Sequence, residues 1–314
     1  MSPMKIEILL ATYNGEKFLH EQLLSIAGQS KTDFKVLISD GGSTDRTLEI
    51  AKEWAVKDPR FQLLPSIGRL GVQENFSRLM KEATGDYLFF ADQDDVWKKD
   101  KLALFIEKMD QLEREHGKEK PLLVHSDLEV VDEKLALISP SFWKFIRLDP
   151  FKGNRFSRLL LQNTVTGAVC LINRPLLELA KPVPPEAVMH DWWLALVASA
   201  FGVIGSIESS TVFYRQHGKN AVGAKPYFSL KLVKFAISLL IKGPDLEKAK
   251  RYNAQVQAFA SRYKDKFSLE QQKTLEGYQS LSTVSLFKRI ALARKHHFYH
   301  SGRLRNIAYL LFSR

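Results

Sequence analysis

The chain has 314 residues, 45% of them hydrophobic and 26% charged, which is enough apolar material for a substantial core and excludes a disordered tail. Its net charge of +11 is unevenly held: residues 225–314 carry 18 Lys/Arg against 5 Asp/Glu, a balance of +13 that leaves the first 224 residues at −2. No apolar run reaches the roughly 18 residues of a membrane span, and Met1-Ser2-Pro3-Met4-Lys5 lacks signal-peptide character. The lone Cys170 excludes an internal disulfide and, within Ala168 to Ile172, reads as a buried inert thiol, so a reducing cytosolic setting is expected.

Ile6 to Leu10 reads as a strand and Phe18 to Ile26 as a helix. Phe34 to Ile38 is the next strand, and Asp45 to Val56 the next helix. Strand Phe61 to Leu64, helix Val72 to Ala83 and strand Asp86 to Ala91 follow. This alternation predicts an α/β fold with a mainly parallel sheet between helices, whose ligands lie at the carboxyl ends of the strands. Three polar loops fall at those ends: Thr12-Tyr13-Asn14-Gly15, Asp40-Gly41-Gly42-Ser43-Thr44-Asp45, and Asp92-Gln93-Asp94-Asp95.

The last of these carries the sharpest chemical signal. Three carboxylates in four positions repel one another unless a cation holds them, and oxygen donors suit Mg²⁺ or Mn²⁺ completed by substrate phosphates. A solvated loop, or a cap for the helix that Asp100 and the periodic Lys101 to Leu112 predict, is the competing reading. Gln93 is expected to point elsewhere, because side chains alternate along an extended segment. No G-x-G-x-x-G follows the first strand and no G-x-x-x-x-G-K-[ST] occurs, which argues against a dinucleotide oxidoreductase and a P-loop nucleotidase.

Further along, Leu122 to Val131 reads as a strand region and Leu159 to Ile172 as an apolar segment containing Thr164-Val165-Thr166-Gly167. Lys181-Pro182-Val183-Pro184-Pro185 is a stiff linker leading to Met189-His190-Asp191-Trp192-Trp193. Helix Trp192 to Phe201 and short strands Val203 to Ile207 and Thr211 to Tyr214 are expected next. Beyond Lys225 the pattern is helical and basic. Tyr227 to Lys242 and Leu286 to Arg314 mix apolar residues with Lys and Arg at helical spacing, which suits either packing on the rest of the chain or an anionic membrane surface. No nucleic-acid-binding motif accompanies the charge, and nucleic acid is not expected as a partner.

With the Thr12, Asp40 and Asp92 loops, the Asp191 segment and Tyr214-Arg215-Gln216-His217 in this order, the chain resembles the inverting family 2 glycosyltransferases of the GT-A fold over about residues 4 to 220. The resemblance implies a catalytic domain at 1–224, with nucleotide-sugar binding over about 1–100 and the acceptor side over about 101–224. Residues 225–314 would form a basic helical extension. Thr12, Tyr13, Asn14 and Asp40 would then face the nucleotide, Asp94 the ribose or metal, and Asp95 the Mg²⁺ or Mn²⁺ that bridges two phosphates. Asp92 or His217 would complete that site, with Arg215 or Lys219 on phosphate. Asp191 would be the general base, and Thr166, Gly167, His190, Trp192 and Trp193 would line the acceptor side.

Two departures from the family pattern matter: Gly41 stands where a second acid is common, and His190-Asp191 stands where Glu-Asp is common. Each segment also has a purely structural reading. Ser43 or Asp45 suits a helix N-cap, as does Asp191, and the aromatic pair suits a core. The overall pattern looks closest to the rhamnosyltransferase-like branch. That implies a dTDP-rhamnose donor, or else a UDP-sugar, and a glycan or lipid-linked saccharide acceptor of a bacterial surface polysaccharide. The expected location is the cytoplasm or the inner face of its membrane. A non-catalytic nucleotide-sugar-binding protein or a membrane-associated adaptor is the alternative.

Overall fold

The computed structural model describes residues 4–218, 223–224 and 246–312. Lys219 and the segment Tyr227 to Lys242 lie outside the described residues. Strands β1 (Ile6–Thr12), β2 (Lys35–Asp40), β3 (Phe61–Leu63) and β4 (Tyr87–Ala91) alternate with helices α1 (Leu19–Ala27), α2 (Thr47–Lys57) and α3 (Val72–Glu82). A short β5 (Val96–Trp97), helix α4 (Lys101–His116) and β6 (Leu122–Val131) follow, with β7 (Leu137–Ser139) beside β6. Three short helices, α5 (Phe142–Ile146), α6 (Pro150–Gly153) and α7 (Phe156–Leu159), lead to β8 (Cys170–Asn173), α8 (Arg174–Ala180), α9 (His190–Phe201) and β9 (Val203–Arg215).

The sheet runs β3-β2-β1-β4-β8-β6-β9-β5. The pairs β1/β2, β1/β4, β2/β3 and β6/β9 are parallel, while β8 lies antiparallel between β4 and β6. Alternation decides which side chain faces which layer. Leu9, Leu88 and Phe90 face α3 and α9, whereas Ile8, Leu10, Phe89 and Ala91 face α1, α2 and α4. Both faces are therefore apolar and both are covered, as a mainly parallel sheet requires.

Register sets where the polar loops emerge. Thr12 lies opposite Asp40, and Leu10 opposite Ala91, so the ends of β1, β2 and β4 are level and their following loops share one edge. Strand β1 continues to Thr12, two residues beyond its apolar run, because that pairing with β2 continues. The expected strands Val203 to Ile207 and Thr211 to Tyr214 are one strand, which stays paired with β6 through register shifts near Asp127. Helix α9 begins at His190, which places Asp191 in its first turn.

The described tail forms α10 (Leu246–Arg262), α11 (Leu269–Ser280), α12 (Leu286–His296) and α13 (Arg303–Phe312). The expected single segment from Leu286 breaks after His296, where His297 takes a left-handed conformation at φ 58°. Phe259, Tyr263 and Phe267 pack in the same cluster as Trp192 and Trp193 of α9. Gly202 ends α9 where the chain passes β6: a Cβ there would lie 1.8 Å from the Pro121 carbonyl oxygen. Gly202→Ala is expected to cost about 1–3 kcal/mol through overpacking. A thermal melt should fall by roughly 2–10 °C for a chain of this size; an unchanged midpoint would show that the β6 entry yields freely.

Candidate active site

The loops after β1 and β2 build one wall of the crevice. The Asp40 carboxylate is buried and spends both oxygens locally. Oδ1 accepts from Thr12 Oγ1 at 2.9 Å and Ser43 Oγ at 2.6 Å, and Oδ2 from the Gly42 and Ser43 N–H groups at 3.0 and 2.8 Å. Thr12 and Asp40 are thus the frame of the wall. Tyr13, 38% exposed, and Asn14 stand at its rim. Asn14 Oδ1 accepts from Thr44 N at 2.8 Å, and its φ of 46° is one that Asn tolerates better than most residues.

Gln93 points back to this wall. Its side-chain amide accepts from Tyr13 N at 2.8 Å and donates to Tyr13 O at 2.9 Å, clamping the β1 loop onto the β4 loop. The Arg69 guanidinium sits 5.7 Å from the Tyr13 ring centroid, which adds an exposed cation to the same rim. Sequence reading found neither of these roles. Gln93 was legible only as a side chain opposed to its acidic neighbours, and Arg69 lies in an irregular segment.

The carboxylate cluster after β4 is held by β9. The Arg215 N–H donates to Asp95 Oδ1 at 3.1 Å, and its guanidinium donates to Asp94 O at 2.9 Å, to Glu133 O at 2.6 Å and to Glu21. Arg215 is 2% exposed, so its geometry fixes the carboxylate turn and does not match the free phosphate-binding fork implied by the resemblance. His217 Nε2 lies 2.8 Å from Asp94 Oδ2, and its ring stacks on Phe18 at 4.8 Å. Asp95 is fully buried and its Oδ2 has no hydrogen-bond partner. Burial, with repulsion from Asp94 and Asp92, pushes its carboxyl well above the usual range. Asp92 rises to about 7 by burial and then by the charges of Asp94 and Asp191.

The opposite wall carries Asp191. Oδ2 accepts from Gly167 N at 3.0 Å and Oδ1 from Trp192 N at 2.6 Å, and the Asn163 side chain adds a further bond. Burial outweighs these bonds and raises the carboxyl to about 6. The approach is close enough to require glycine: a Cβ at Gly167 would lie 3.1 Å from His190 Nε2 and 3.6 Å from Asp191 Oδ2. His190 is buried against Phe76 and Phe90, with neither ring nitrogen hydrogen-bonded, and burial lowers it to about 3. Trp192 and Trp193 are core residues whose indole N–H groups donate to Leu159 O at 2.7 Å and Ala180 O at 2.9 Å. Thr166 is partly buried and opens the turn that carries Gly167.

Asp92, Asp94, Asp95, His217 and Asp191 thus belong to one electrostatic neighbourhood: Asp92 feels both Asp94 and Asp191. Among the described residues no three His, Cys, Asp or Glu side chains close into a metal cage. The donor set still fits a hard divalent cation that takes one or two carboxylates and draws its other ligands from phosphates, because Asp95 Oδ2 is buried and unpartnered. An unpaired buried carboxylate also has a stability cost. Its folded-state proton affinity exceeds the unfolded one, so the cost is present at neutral pH and vanishes below about pH 4. Asp95→Asn should raise the melting temperature of the metal-free protein near pH 7.5 and leave it little changed near pH 4. No gain at neutral pH would mean that the fold already compensates the charge.

The Glycosyl transferase family 2 profile matches residues 7–116. The dTDP-rhamnosyl transferase RfbG of Shigella flexneri is 31% identical over 235 residues, covering 71% of this chain and 76% of that protein. Among solved structures, residues 1–349 of S. aureus TarS in complex with UDP-GlcNAc superpose with a TM-score of 0.54 at 18% identity, over 95% of this chain and 93% of that one. The mannosyltransferase PcManGT of Pyrobaculum calidifontis, in complex with GDP-Man and Mn²⁺, gives 0.53 at 18% identity, over 93% and 86%. The GT-A architecture that the resemblance implied is the one observed, with a helical C-terminal region. The chain belongs to glycosyl transferase family 2, whose members use nucleotide sugars.

Proposed function

We propose that the chain transfers a sugar from a nucleoside diphosphate sugar to an acceptor hydroxyl by direct displacement with inversion, using Asp191 as the general base. One observation carries this reading: Asp191, held by the Gly167 and Trp192 N–H groups, lies near enough to the carboxylate cluster to act on Asp92, and burial raises its carboxyl to about 6. A base with that affinity is ionised at neutral pH and still basic enough to draw a proton from a hydroxyl as the sugar bond forms. The three polar loops at the strand ends suit a nucleotide, with Tyr13, Asn14 and Arg69 at the rim. Thr12 and Asp40 support that rim from below. Residues 1–224 would supply donor and acceptor walls, and 225–314 the basic extension.

Asp95, with Asp94 and either Asp92 or His217, would hold Mg²⁺ or Mn²⁺. Such a cation, when bound, neutralises charge on the diphosphate leaving group. Arg215 orients Asp94 and Asp95 for this role, and Lys219 remains a phosphate contact on the resemblance alone. Gly167 and Thr166 border the acceptor side, with His190, Trp192 and Trp193 packing behind it.

The relation to RfbG supports dTDP-rhamnose as the donor, and the likeness to TarS keeps a UDP-sugar second. The acceptor would be a hydroxyl of a growing, lipid-linked bacterial surface polysaccharide. No described helix is long and apolar enough to cross a membrane. Contact with an anionic cytoplasmic leaflet would run through the +13 carried by residues 225–314.

Asp191→Asn should leave nucleotide affinity within about threefold and abolish transfer; full transfer by this variant would remove the base assignment. In the wild type, kcat/KM for the acceptor should fall about tenfold per pH unit below about 6, because the protonated carboxyl cannot accept the hydroxyl proton. Asp95→Ala should erase the dependence of nucleotide affinity on Mn²⁺ in calorimetry; an unchanged dependence would refute the ligand role. Retained, Mn²⁺-dependent nucleotide binding without transfer by the wild type to any saccharide acceptor would instead favour the non-catalytic binding protein.

A further inference from the structure

Lys101 is the first residue of α4 and is fully buried. Its side chain passes the Trp97 ring, with Nζ 3.4 Å from the centroid, and its amine donates to the Ala168 carbonyl at 2.7 Å. Asp95 and Asp92 both act on this amine electrostatically, yet no ion pair within 4.0 Å joins it to either carboxylate. An apolar side chain of similar length would fill the same space without desolvating an amine. What it would lack is a donor for Ala168.

Ala168 lies in the 3-10 turn Gly167–Val169, and the N–H of Gly167 is the one that holds Asp191 Oδ2 at 3.0 Å. The chain of contacts runs from α4, which follows the carboxylate cluster after the short β5, through the Lys101 amine to the turn, and on to Asp191. We propose that Lys101 is a positioning residue that sets the spacing between the donor-side carboxylates and Asp191. It touches neither substrate nor reacting atoms. It acts by holding the turn that seats the base, and the idea rests on Asp191 being that base.

Catalytic rates are sensitive to the placement of such groups, so loss of the donor should lower kcat about 10- to 100-fold while nucleotide affinity changes less than about threefold. The test compares Lys101→Met, which keeps the length and removes the donor, with Lys101→Gln, which keeps an N–H. Each variant is measured for transfer kinetics, for calorimetric nucleotide affinity with Mn²⁺, and for hydrogen exchange of the segment 163–173.

The Met variant should be folded, slow in kcat, near wild type in nucleotide affinity and faster in exchange over that segment. The Gln variant should recover part of the rate and of the protection. Wild-type kcat in the Met variant, an affinity loss that parallels the rate loss, or failure of both variants to fold would each overturn the proposal. If Asp191→Asn retained transfer, the base assignment would fail by itself. Unchanged exchange at 163–173 in the Met variant would instead mean that Lys101 does not hold the turn.

Discussion

The constraint on which the structure turns is the placement of three carboxylates within four residues at the end of a buried strand. Mutual repulsion would scatter Asp92, Asp94 and Asp95 unless the surroundings oppose it. The β9 strand supplies that opposition through Arg215, whose backbone and guanidinium bind Asp95 and the Asp94 carbonyl while reaching Glu133 and Glu21. Lys101, at the start of α4, is buried and donates to the Ala168 carbonyl. The short pairing of β5 with β9 brings residues about 120 positions apart to the same corner. Antiparallel pairing at the far edge of the sheet is therefore part of the site.

The second wall depends on packing. Helix α9 carries Asp191 in its first turn and Trp193 in the core, where Phe259 of α10 and Tyr263 just after it lie 5.7 and 6.1 Å away, centroid to centroid. Arg251 and Gln255 of the same helix bind the backbone of Val188, just before α9. The described part of the basic tail thus buttresses the helix that carries Asp191. Its contacts are aromatic ones and hydrogen bonds to backbone, with the Arg251 and Arg262 guanidinium groups among the donors.

Functional groups in this crevice are bought with stability. Asp95 is buried with an unpartnered oxygen, His190 has two bare ring nitrogens, and Asp92 and Asp191 both hold protons more tightly than an exposed carboxyl. Each is a feature that an apolar or neutral residue would improve thermodynamically. Such groups persist where a ligand completes them, and the place of the Asp92 to Asp95 carboxylates after β4 agrees with the ligand position that the topology dictates.

Much of this was legible from the chain. Short continuous apolar runs marked β1, β2 and β4, and the Gly, Asn and Asp loops after them marked the crevice, because run length and turn chemistry are local signals. The Asp92 cluster and Asp191 stood out for the same reason. Two expectations had the right residue with an unexpected role: Arg215 is spent on carbonyls and Glu21, and Gln93 clamps Tyr13. Lys101 looked like the opening of an ordinary helix. Local pattern could place polar residues at the ends of strands. Which of their atoms are already used depended on partners about 70 to 190 positions away, and only the folded register brings those together.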